Sequence, residues 1–360
     1  MPGDKIRQGR IMTAVVGSYP KPDYLYPGNA RRLLDNCGRS FLEFEKRIGK
    51  QEFKKRVDRA SIMAIADQNS AGIDFMSDGE EGRDHYVLYV LRRLGGIDFE
   101  YLKSRPMRGG VYIREVPVVV GKISYKGPFL VDDYLFTSRY AKGIPKINLP
   151  GPSTAVDCLY DEYYKDDIEK MAMDYAGAIR HEVENLLESG CQIIQFDDPV
   201  LLRNLDHARK WGLKALQLCF SGHEKHALYI VHICRGYPHK SLEKKGIDYK
   251  AKTEYYSHIL DWLSDSTIDI LSIEGQKSNL DLSMLPAAGR KTVMLGVVDV
   301  GSDEVETVEQ IVERGKEALN YLKKEQLILS PDCGMLQLSL SSAKKKLINI
   351  AEAASILNRT

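Results

Sequence analysis

The stretch Leu228 to Arg235 reads Leu-Tyr-Ile-Val-His-Ile-Cys-Arg, and the rest of the chain is interpreted around it. Its apolar and β-branched residues predict a strand. Side chains two positions apart share one face of a strand, so His232 and Cys234 point the same way and can bind one metal ion. On a helix the same spacing would turn the two side chains apart, so the metal hypothesis depends on the strand.

Strand-like and helix-like segments alternate along the chain on both sides of this stretch. The predicted helices include residues 51–69, 166–189, 255–263, 305–323 and 342–357. The predicted strands are Met12 to Val16, Gly72 to Met76, Lys146 to Leu149, Gln192 to Phe196, Leu228 to Ile233, Ile268 to Ile273, Thr292 to Val297 and Leu327 to Leu329. Eight such units predict an α/β fold of the (β/α)₈ TIM-barrel type, whose chemistry lies at the carboxyl ends of the strands.

The segment from about residue 84 to residue 145 departs from this alternation. It contains Gly95-Gly96, Gly109-Gly110 and an alternating run from Val116 to Ser124 that is typical of a hairpin. We interpret it as an insertion near the barrel mouth. Because no low-complexity linker divides the chain, we expect a single domain over residues 1–360.

The composition excludes several classes of partner. The 360 residues include 51 basic and 50 acidic side chains, a formal charge of +1, so we expect neither a nucleic-acid nor an anionic-membrane partner. No apolar run has transmembrane length and the N-terminus lacks a signal-peptide core, which predicts a cytoplasmic protein. Six cysteines without a secretion signal indicate reduced thiols, so a functional cysteine is expected to be a ligand or a nucleophile.

Metal-binding residue types collect at three predicted strand ends. They are His232, Cys234, Glu274 and Cys333, which match the ligand types of tetrahedral zinc. A structural zinc site usually has closely spaced, cysteine-rich ligands, whereas these four are scattered over the expected barrel mouth. The pattern therefore favours a functional zinc site.

Seven motifs resemble, in their order along the chain, those of the catalytic domain of cobalamin-independent methionine synthase. The resemblance covers nearly the whole chain, and its most specific elements are His-x-Cys and Pro-Asp-Cys-Gly. The motifs are Gly17-Ser18-Tyr19-Pro20, Gly79-Glu80, Gly151-Pro152-Ser153-Thr154, Phe196-Asp197-Asp198-Pro199, His232-Ile233-Cys234, Glu274 and Pro331-Asp332-Cys333-Gly334.

The resemblance implies that His232, Cys234, Glu274 and Cys333 bind Zn²⁺. One neutral imidazole, two thiolates and one carboxylate give the zinc site a net charge of −1, which suits delivery of a thiolate better than activation of water. Glu274 is an oxygen donor among softer ligands, so we expect it to yield to the substrate sulfur. Glu274 and Asp299, at the end of the next strand, are the predicted catalytic residues.

The same resemblance implies a binding site for an amino-acid thiol such as homocysteine. Glu80 and Asp197 would hold its ammonium group, and Ser18 with its neighbours would receive its carboxylate. A structural alternative stays open, in which both acidic residues cap helices or pair with Arg83 and Arg203. The expected activity is zinc-dependent transfer of a methyl or similar alkyl group to a small thiol, most simply a homocysteine S-methyltransferase.

Two departures from the family pattern concern the alkyl donor. The family stacks a tryptophan on its pterin after the Gly-Pro turn, but residues 155–160 contain none. Gly301 stands where folate-using members have a histidine, and an amine leaves poorly without a proton donor. The length also leaves no room for the family's additional N-terminal barrel. We therefore expect a donor other than polyglutamyl methyltetrahydrofolate, with a methylated corrinoid or corrinoid protein as a candidate.

Two alternatives remain at this point. An epoxyalkane:coenzyme M transferase-like enzyme would need cations for a sulfonate, and Arg235, Lys240 or Arg83 could supply them. Carboxylates in the thiol pocket would favour an amino-acid thiol instead. The other alternative is a metal-free barrel like uroporphyrinogen decarboxylase, in which the cysteines have no role in chemistry.

Overall fold

The computed structural model describes residues 9–26 and 38–359, and strands and helices alternate along them. The strands are β1 (Met12–Thr13), β2 (Phe75–Met76), β3 (Gly95–Met107), β4 (Tyr112–Ser124), β5 (Ile144–Pro145), β6 (Ile147–Pro150), β7 (Tyr160–Asp161), β8 (Ile193–Asp197), β9 (Leu228–Ile233), β10 (Ile270–Ile273), β11 (Thr292–Val298) and β12 (Leu327–Pro331). β9 has the predicted bounds.

The helices connect these strands. They are α1 (Arg39–Ile48), α2 (Lys50–Ala71), α3 (Tyr86–Leu91), α4 (Val131–Tyr140), α5 (Pro152–Asp157), α6 (Ile168–Glu188), α7 (Val200–Arg203), α8 (Leu205–His207), α9 (Leu213–Leu218), α10 (Lys240–Lys244), α11 (Tyr255–Ser264), α12 (Val308–Leu319) and α13 (Leu340–Arg359). A π-helical turn covers Ala208–Gly212, and 3₁₀ turns cover Leu282–Ala288 and Lys324–Gln326. None of the described helices has the length and hydropathy needed to cross a membrane.

Seven strands form one parallel sheet in the order β1-β12-β11-β10-β9-β8-β6. A second parallel pair, β2 with β5, adjoins this sheet in two places. Ala14, just after β1, forms a bridge with Phe75 of β2, and a single residue, Lys146, separates β5 from β6. The predicted α/β fold with a parallel sheet is therefore confirmed.

Side chains on one face of the sheet change from apolar to polar along the strands. Toward the amino ends, a buried cluster contains Leu228 and Ile230 of β9 and Ile270 of β10. The same face of β9 then carries His232, because side chains alternate along a strand. The register pairs His232 with Asp197 of β8 on one side and with Ser272 of β10 on the other. The polar groups thus meet at the carboxyl ends of the strands.

The helices cover the opposite face of the sheet and form the larger apolar core with it. Helix α6 shows the pattern, since Tyr175, Ile179 and Val183 lie on its buried side. Its N-terminus is capped by the Asp167 side chain, which accepts a hydrogen bond from the Lys170 amide at 3.0 Å. This packing fixes the strands whose ends carry the polar groups.

The segment 84–145 contains the predicted hairpin, with a correction to its bounds. The run from Val116 to Ser124 is not a hairpin by itself but part of the single strand β4, which pairs antiparallel with β3. The turn between β3 and β4 includes Gly109-Gly110 as expected. Helices α3 and α4 in this segment were not predicted, because each is too short to show a clear helical period.

The predicted first strand is also longer than the observed one. It was expected to reach Val16, but β1 ends at Thr13. The carbonyl oxygen of Val16 accepts hydrogen bonds from the side chains of Lys146, Asn148 and Gln195. Because the Val16 carbonyl binds these side chains, it does not accept a backbone hydrogen bond from another of the described strands.

Candidate active site

Three of the four predicted metal ligands come together at the ends of β9 and β12. One ligand atom from each of His232, Cys234 and Cys333 lies within 4.8 Å of the others. His232 and Cys234 are buried, and Cys333 is half-buried. An imidazole and two thiols form a donor set that zinc prefers. The predicted cluster is therefore present, without Glu274 as a member.

The imidazole of His232 is oriented for metal binding. Its Nδ1 lies 2.9 Å from the Ser272 hydroxyl oxygen. Its Nε2 is buried and has no hydrogen-bond partner among the residues that the structure describes. A buried ring nitrogen without a partner is costly unless a ligand satisfies it, and metal-bound imidazoles usually bond through their other nitrogen to a polar group. The ring thus fits a zinc ion at Nε2.

The two cysteines interact directly. The Cys333 thiol donates a hydrogen bond to Cys234 Sγ across 3.9 Å. This bond is the main cause that lowers the pKa of Cys234 and raises the pKa of Cys333. A pair in which one sulfur is readily ionised is suited to binding a cation, because metals bind the thiolate form.

Glu274 lies at the end of β10 but its carboxylate is bound by a lysine. Oε1 accepts a hydrogen bond from Lys250 Nζ at 3.1 Å, and Oε2 accepts one from the Arg235 amide at 3.3 Å. Lys250 did not appear in the sequence prediction. Sequence position places Glu274 at the correct strand end, but no local pattern indicates that a buried lysine 24 residues earlier would bind its side chain.

Glu80 occupies a strained turn at the end of β2. Its φ angle is 55°, in the left-handed region that non-glycine residues seldom adopt. Asn148 Nδ2 donates to its Oε1 at 3.1 Å, and Arg83 Nη1 lies 3.4 Å from the same oxygen. A β-carbon added at Gly17 would lie 2.7 Å from that oxygen, so a larger residue there would displace the Glu80 carboxylate. The ion pair with Arg83 that was left open is present, and it leaves Glu80 on the cavity wall.

Asp197 lies beside the metal cluster at the end of β8. Its Oδ1 accepts a hydrogen bond from Gln195 Nε2 at 2.6 Å. Burial raises the pKa of its carboxyl to about 6, against an opposing effect of His232. The expected alternative partner, Arg203, pairs with Asp157 instead. Asp197 thus lies on the cavity wall, and Arg203 does not occupy its carboxylate.

Ser18 joins the first strand's loop to the Pro-Asp-Cys-Gly loop. Its carbonyl oxygen accepts a hydrogen bond from the Met335 amide at 2.8 Å. A β-carbon added at Gly334 would collide with the Ser18 hydroxyl, so a side chain at position 334 would push the two loops apart or displace Ser18. This contact brings Ser18 and Cys333 onto the same cavity.

One cavity unites most of the predicted site residues. Its wall includes, among others, Ser18, Glu80, Asp197, His232, Cys234 and Cys333. Asp299 is not part of this wall, so its catalytic role stays a prediction. Its carboxylate accepts hydrogen bonds from Lys277 Nζ at 3.0 Å and from the Gly301 amide at 2.7 Å, so its contacts brace a loop.

Sequence reasoning missed several residues that support the site. Lys146 is buried, and its ammonium group donates to Val16 O, Asn148 Oδ1 and Gln195 Oε1. Asp198 accepts hydrogen bonds from the amides of Ser153 and Thr154 and so fixes the Gly-Pro turn. The adjacent acidic pair in Phe-Asp-Asp-Pro was the available signal for Asp198. No sequence feature identifies Lys146, because the sequence does not show that its ammonium group is buried.

The β3-β4 hairpin forms another part of the cavity wall. Met107, Arg108, Tyr112 and Arg114 contribute from it. Arg108 lies with its guanidinium carbon 4.7 Å from the centre of the Tyr249 ring. The cavity therefore has an acidic and metal-binding side formed by strand ends, and a basic and aromatic side formed largely by the hairpin.

Comparison with known proteins gives consistent matches. The family model for the catalytic domain of cobalamin-independent synthases matches residues 11–356. A methionine synthase from Saccharolobus solfataricus is 32% identical over 358 residues, which cover 96% of this chain and 95% of the relative. One from Pyrococcus abyssi is 29% identical over 353 residues, which cover 97% and 93%.

A solved structure also matches over nearly the whole of both chains. It is a B12-independent methionine synthase from Shewanella sp. W3-18-1 in complex with selenomethionine. The TM-score is 0.83 at 29% sequence identity, and the match covers 97% of this chain and 98% of that chain. Together with the family match along residues 11–356, these similarities confirm the resemblance inferred from the motifs. The chain belongs to the family of cobalamin-independent methionine synthase catalytic domains.

Proposed function

We propose that the protein transfers a methyl group to the thiol of homocysteine at a zinc site. The observation that carries this proposal is a single cavity lined by a histidine and two cysteines on one side and by two carboxylates beside them. The family match and the methionine synthases that resemble this chain support the reaction. The Shewanella relative was solved with selenomethionine, an analogue of the expected product.

His232, Cys234 and Cys333 are the proposed protein ligands of zinc, with Glu274 as the fourth. The buried, unpartnered Nε2 of His232 and the adjacent sulfurs support this assignment. Bound zinc would lower the pKa of a coordinating substrate thiol, so that the sulfur is a thiolate near neutral pH. Glu274 is close to the cluster, and a rotation of its side chain would exchange Lys250 for the metal.

Glu80 and Asp197 are the proposed partners of the homocysteine ammonium group. Both carboxylates are buried on the cavity wall, so each gains a cationic partner when the substrate binds. Arg83 forms an ion pair with Glu80, and Asn148 donates a hydrogen bond to the same carboxylate. Ser18 and the loop around it are the proposed site of the substrate carboxylate. These contacts would select an amino-acid thiol and direct its sulfur to the cysteines.

We also propose that the strands close into an eight-stranded TIM barrel within one domain. The bridge from Ala14 to Phe75 and the short link between β5 and β6 support this closure. Residues 84–145 are then an insertion whose hairpin covers the mouth. The hairpin's contribution to the cavity wall supports that role, because Met107 and Arg108 lie at its tip.

The donor is proposed to be a small methylated molecule. The corrinoid candidate is not supported, since the matching family is described as cobalamin-independent. Polyglutamyl methyltetrahydrofolate is disfavoured by the residues on the donor side. From the stretch where the family has its tryptophan, Asp157 and Cys158 line the cavity, and neither offers a ring to a pterin. Gly301 lies against Pro238 and Asp299 rather than on the cavity wall.

The alternatives from the sequence are less well supported. For a sulfonate-binding coenzyme M enzyme, Arg83 is already paired with Glu80 and Arg235 is not on the cavity wall. The side chain of Lys240 lies outside the described part of the structure. The family match argues against a uroporphyrinogen decarboxylase-like protein.

The test is to supply the zinc-loaded protein with homocysteine and one methyl donor at a time. The donors are methyltetrahydrofolate, methylcobalamin and simple sulfonium or ammonium compounds, with coenzyme M and an epoxide as the alternative pair. We expect methionine from at least one donor and no alkylated coenzyme M. Alkylation of coenzyme M without methionine formation would contradict the proposal.

A further inference from the structure

The backbone of Glu274 is held in place on both sides. The Tyr256 hydroxyl accepts a hydrogen bond from the Glu274 amide at 3.3 Å and donates one to Ile233 O at 2.9 Å. Asp332 accepts a hydrogen bond from the next amide, that of Gly275, at 2.9 Å. Because the main chain is tied to β9 and to the Cys333 loop, Glu274 can change partners only by rotating its side chain.

The carboxylate of Glu274 has a buried cationic partner apart from the metal cluster. Lys250 Nζ lies 3.1 Å from Oε1, and the two side chains are only 11% and 3% exposed. A buried carboxylate without a cation is strongly unfavourable, whereas a close, hydrogen-bonded lysine compensates much of the cost. The lysine therefore gives Glu274 a stable position in which it is not a metal ligand.

Lys250 is itself fixed relative to the metal-binding strand. The amide of its neighbour Ala251 donates a hydrogen bond to Arg235 O at 3.0 Å, and Arg235 directly follows Cys234. The Arg235 amide also contacts the second carboxylate oxygen of Glu274. The same short segment thus carries a metal ligand and positions the lysine that binds Glu274.

We propose that Lys250 is a positioning residue that holds the Glu274 carboxylate while the substrate sulfur occupies the metal site. The proposal rests on the proposed zinc-dependent reaction with homocysteine. Homocysteine that coordinates the metal as a thiolate would release its thiol proton to solvent. The thiolate would take the place of the Glu274 carboxylate, so the number of anionic ligands would be unchanged and the displaced carboxylate would remain buried as an anion. Lys250 neutralises that anion, so it favours the substrate-bound arrangement over the one in which Glu274 is a ligand.

The experiment compares zinc-loaded Lys250→Met with the unmodified protein. X-ray absorption at the zinc edge counts sulfur ligands with and without homocysteine, and a chelator measures zinc release. In the unmodified protein we expect two sulfur ligands, rising to three with homocysteine. In Lys250→Met we expect the count to stay near two at the same homocysteine concentration, KM for homocysteine to rise roughly tenfold or more, and zinc release to slow.

Controls separate this role from a structural one. Lys277→Met removes another lysine-carboxylate pair, with Asp299 at 3.0 Å and outside the cavity wall, and should match the unmodified protein. Lys250→Arg keeps the charge and should restore most of the homocysteine affinity. If Lys250→Met does not fold, Lys250→Gln, which keeps a hydrogen-bond donor, replaces it and is expected to show the same changes.

The outcomes distinguish the inference from the function on which it rests. A third sulfur ligand that appears equally in Lys250→Met and the unmodified protein overturns the role of Lys250 alone. Faster zinc release in Lys250→Met, with an unchanged KM, also overturns it, since that result indicates a structural contribution to the site. Failure of the unmodified protein to bind zinc, or to gain a sulfur ligand with homocysteine, overturns the proposed function itself.

Discussion

Glu80 shows how one residue combines strain with function. It adopts a left-handed φ of 55° that costs energy, and its carboxylate is held on the cavity wall by Asn148 and Arg83. Strained residues persist where the surrounding structure over-determines them, and they concentrate at functional sites. The conformation is compatible with the proposed role, since Glu80 lies on the cavity wall.

Glu80→Gln should weaken homocysteine binding and spare the metal site. The amide keeps the shape of the side chain but removes the charge that would attract the ammonium group, at a cost of about 2 kcal/mol, or roughly thirtyfold in KM. Zinc content should stay at the level of the unmodified protein, because Glu80 is not in the metal cluster. Steady-state kinetics and metal analysis measure both effects. An unchanged KM would contradict the ammonium-binding role.

The neighbouring Glu81 predicts a dependence of stability on pH. Both of its carboxylate oxygens are buried, and neither has a hydrogen-bond partner within the described ranges 9–26 and 38–359. Burial raises the pKa of the carboxyl from 4.5 to about 8. Between these values the unfolded chain releases a proton that the folded protein retains, so this group lowers the free energy of unfolding as pH rises from about 5 to 8.

Glu81→Gln should therefore stabilise the protein increasingly over that pH range. The amide resembles the protonated carboxyl, so the variant and the unmodified protein should be similar near pH 5 and differ by a few kcal/mol near pH 8. Urea unfolding at a fixed zinc concentration measures the difference at each pH. A difference independent of pH would show that Glu81 is not the group responsible.

At the scale of single residues, the sequence predicted which side chains form the metal site better than it predicted their hydrogen-bond partners. His232, Cys234 and Cys333 could be assigned because their types and strand positions match a zinc site. The hydrogen-bond partners of the site residues could not be assigned. Lys250 binds Glu274, which is 24 residues away in sequence, and Lys146 binds Gln195, which is 49 residues away. Such pairs depend on how loops fold back onto the strands, which no local pattern encodes.

At the scale of elements, Asp332 links two loops that carry predicted zinc ligands. It precedes Cys333, and its carboxylate accepts hydrogen bonds from the amides of Gly275, Gln276 and Lys277 just after Glu274. Burial raises the pKa of its carboxyl to about 7, an effect that the three amide hydrogen bonds partly oppose. The end of β10 is thereby clamped to the end of β12, although β11 lies between them.

Asp332→Asn should loosen this clamp. The asparagine has one acceptor oxygen, so its amide nitrogen would face at least one of the three backbone donors, at a cost of about 2 kcal/mol in the free energy of unfolding. Zinc affinity should fall as well, because Cys333 and Glu274 lose their common support. Chemical denaturation and chelator competition measure the two effects. Asp281→Asn, at an exposed turn, is the matched control.

The elements themselves were largely predictable. β9 has the predicted bounds because six buried residues, Leu228 to Ile233, form an unambiguous apolar run. Strands β1 and β2 are shorter than predicted. β1 ends at Thr13, after which Ala14 bridges to Phe75, and Val16 O binds side chains instead of another strand. Only Phe75 and Met76 pair in β2. The hairpin was recognised by its glycines, but its first strand, β3, has an irregular register that hides the alternation.

At the scale of the whole molecule, a metal ion would connect strands that are distant in sequence. Cys234 and Cys333 are 99 residues apart, yet their sulfurs are 3.9 Å apart. A ligand that binds only the folded protein stabilises it in proportion to its affinity and concentration. Zinc should therefore raise Tm, and a chelator should lower it, when measured by thermal unfolding. An unchanged Tm after complete zinc removal would contradict this prediction.

The most direct test of the central claim is the zinc coordination of the purified protein and of Cys234→Ser. Metal analysis combined with X-ray absorption at the zinc edge measures both the amount of zinc and its sulfur ligands. We predict one zinc per chain with two sulfur ligands in the unmodified protein, and reduced zinc with one sulfur ligand and no methyl transfer in Cys234→Ser. Full zinc content and full activity in Cys234→Ser would contradict the account.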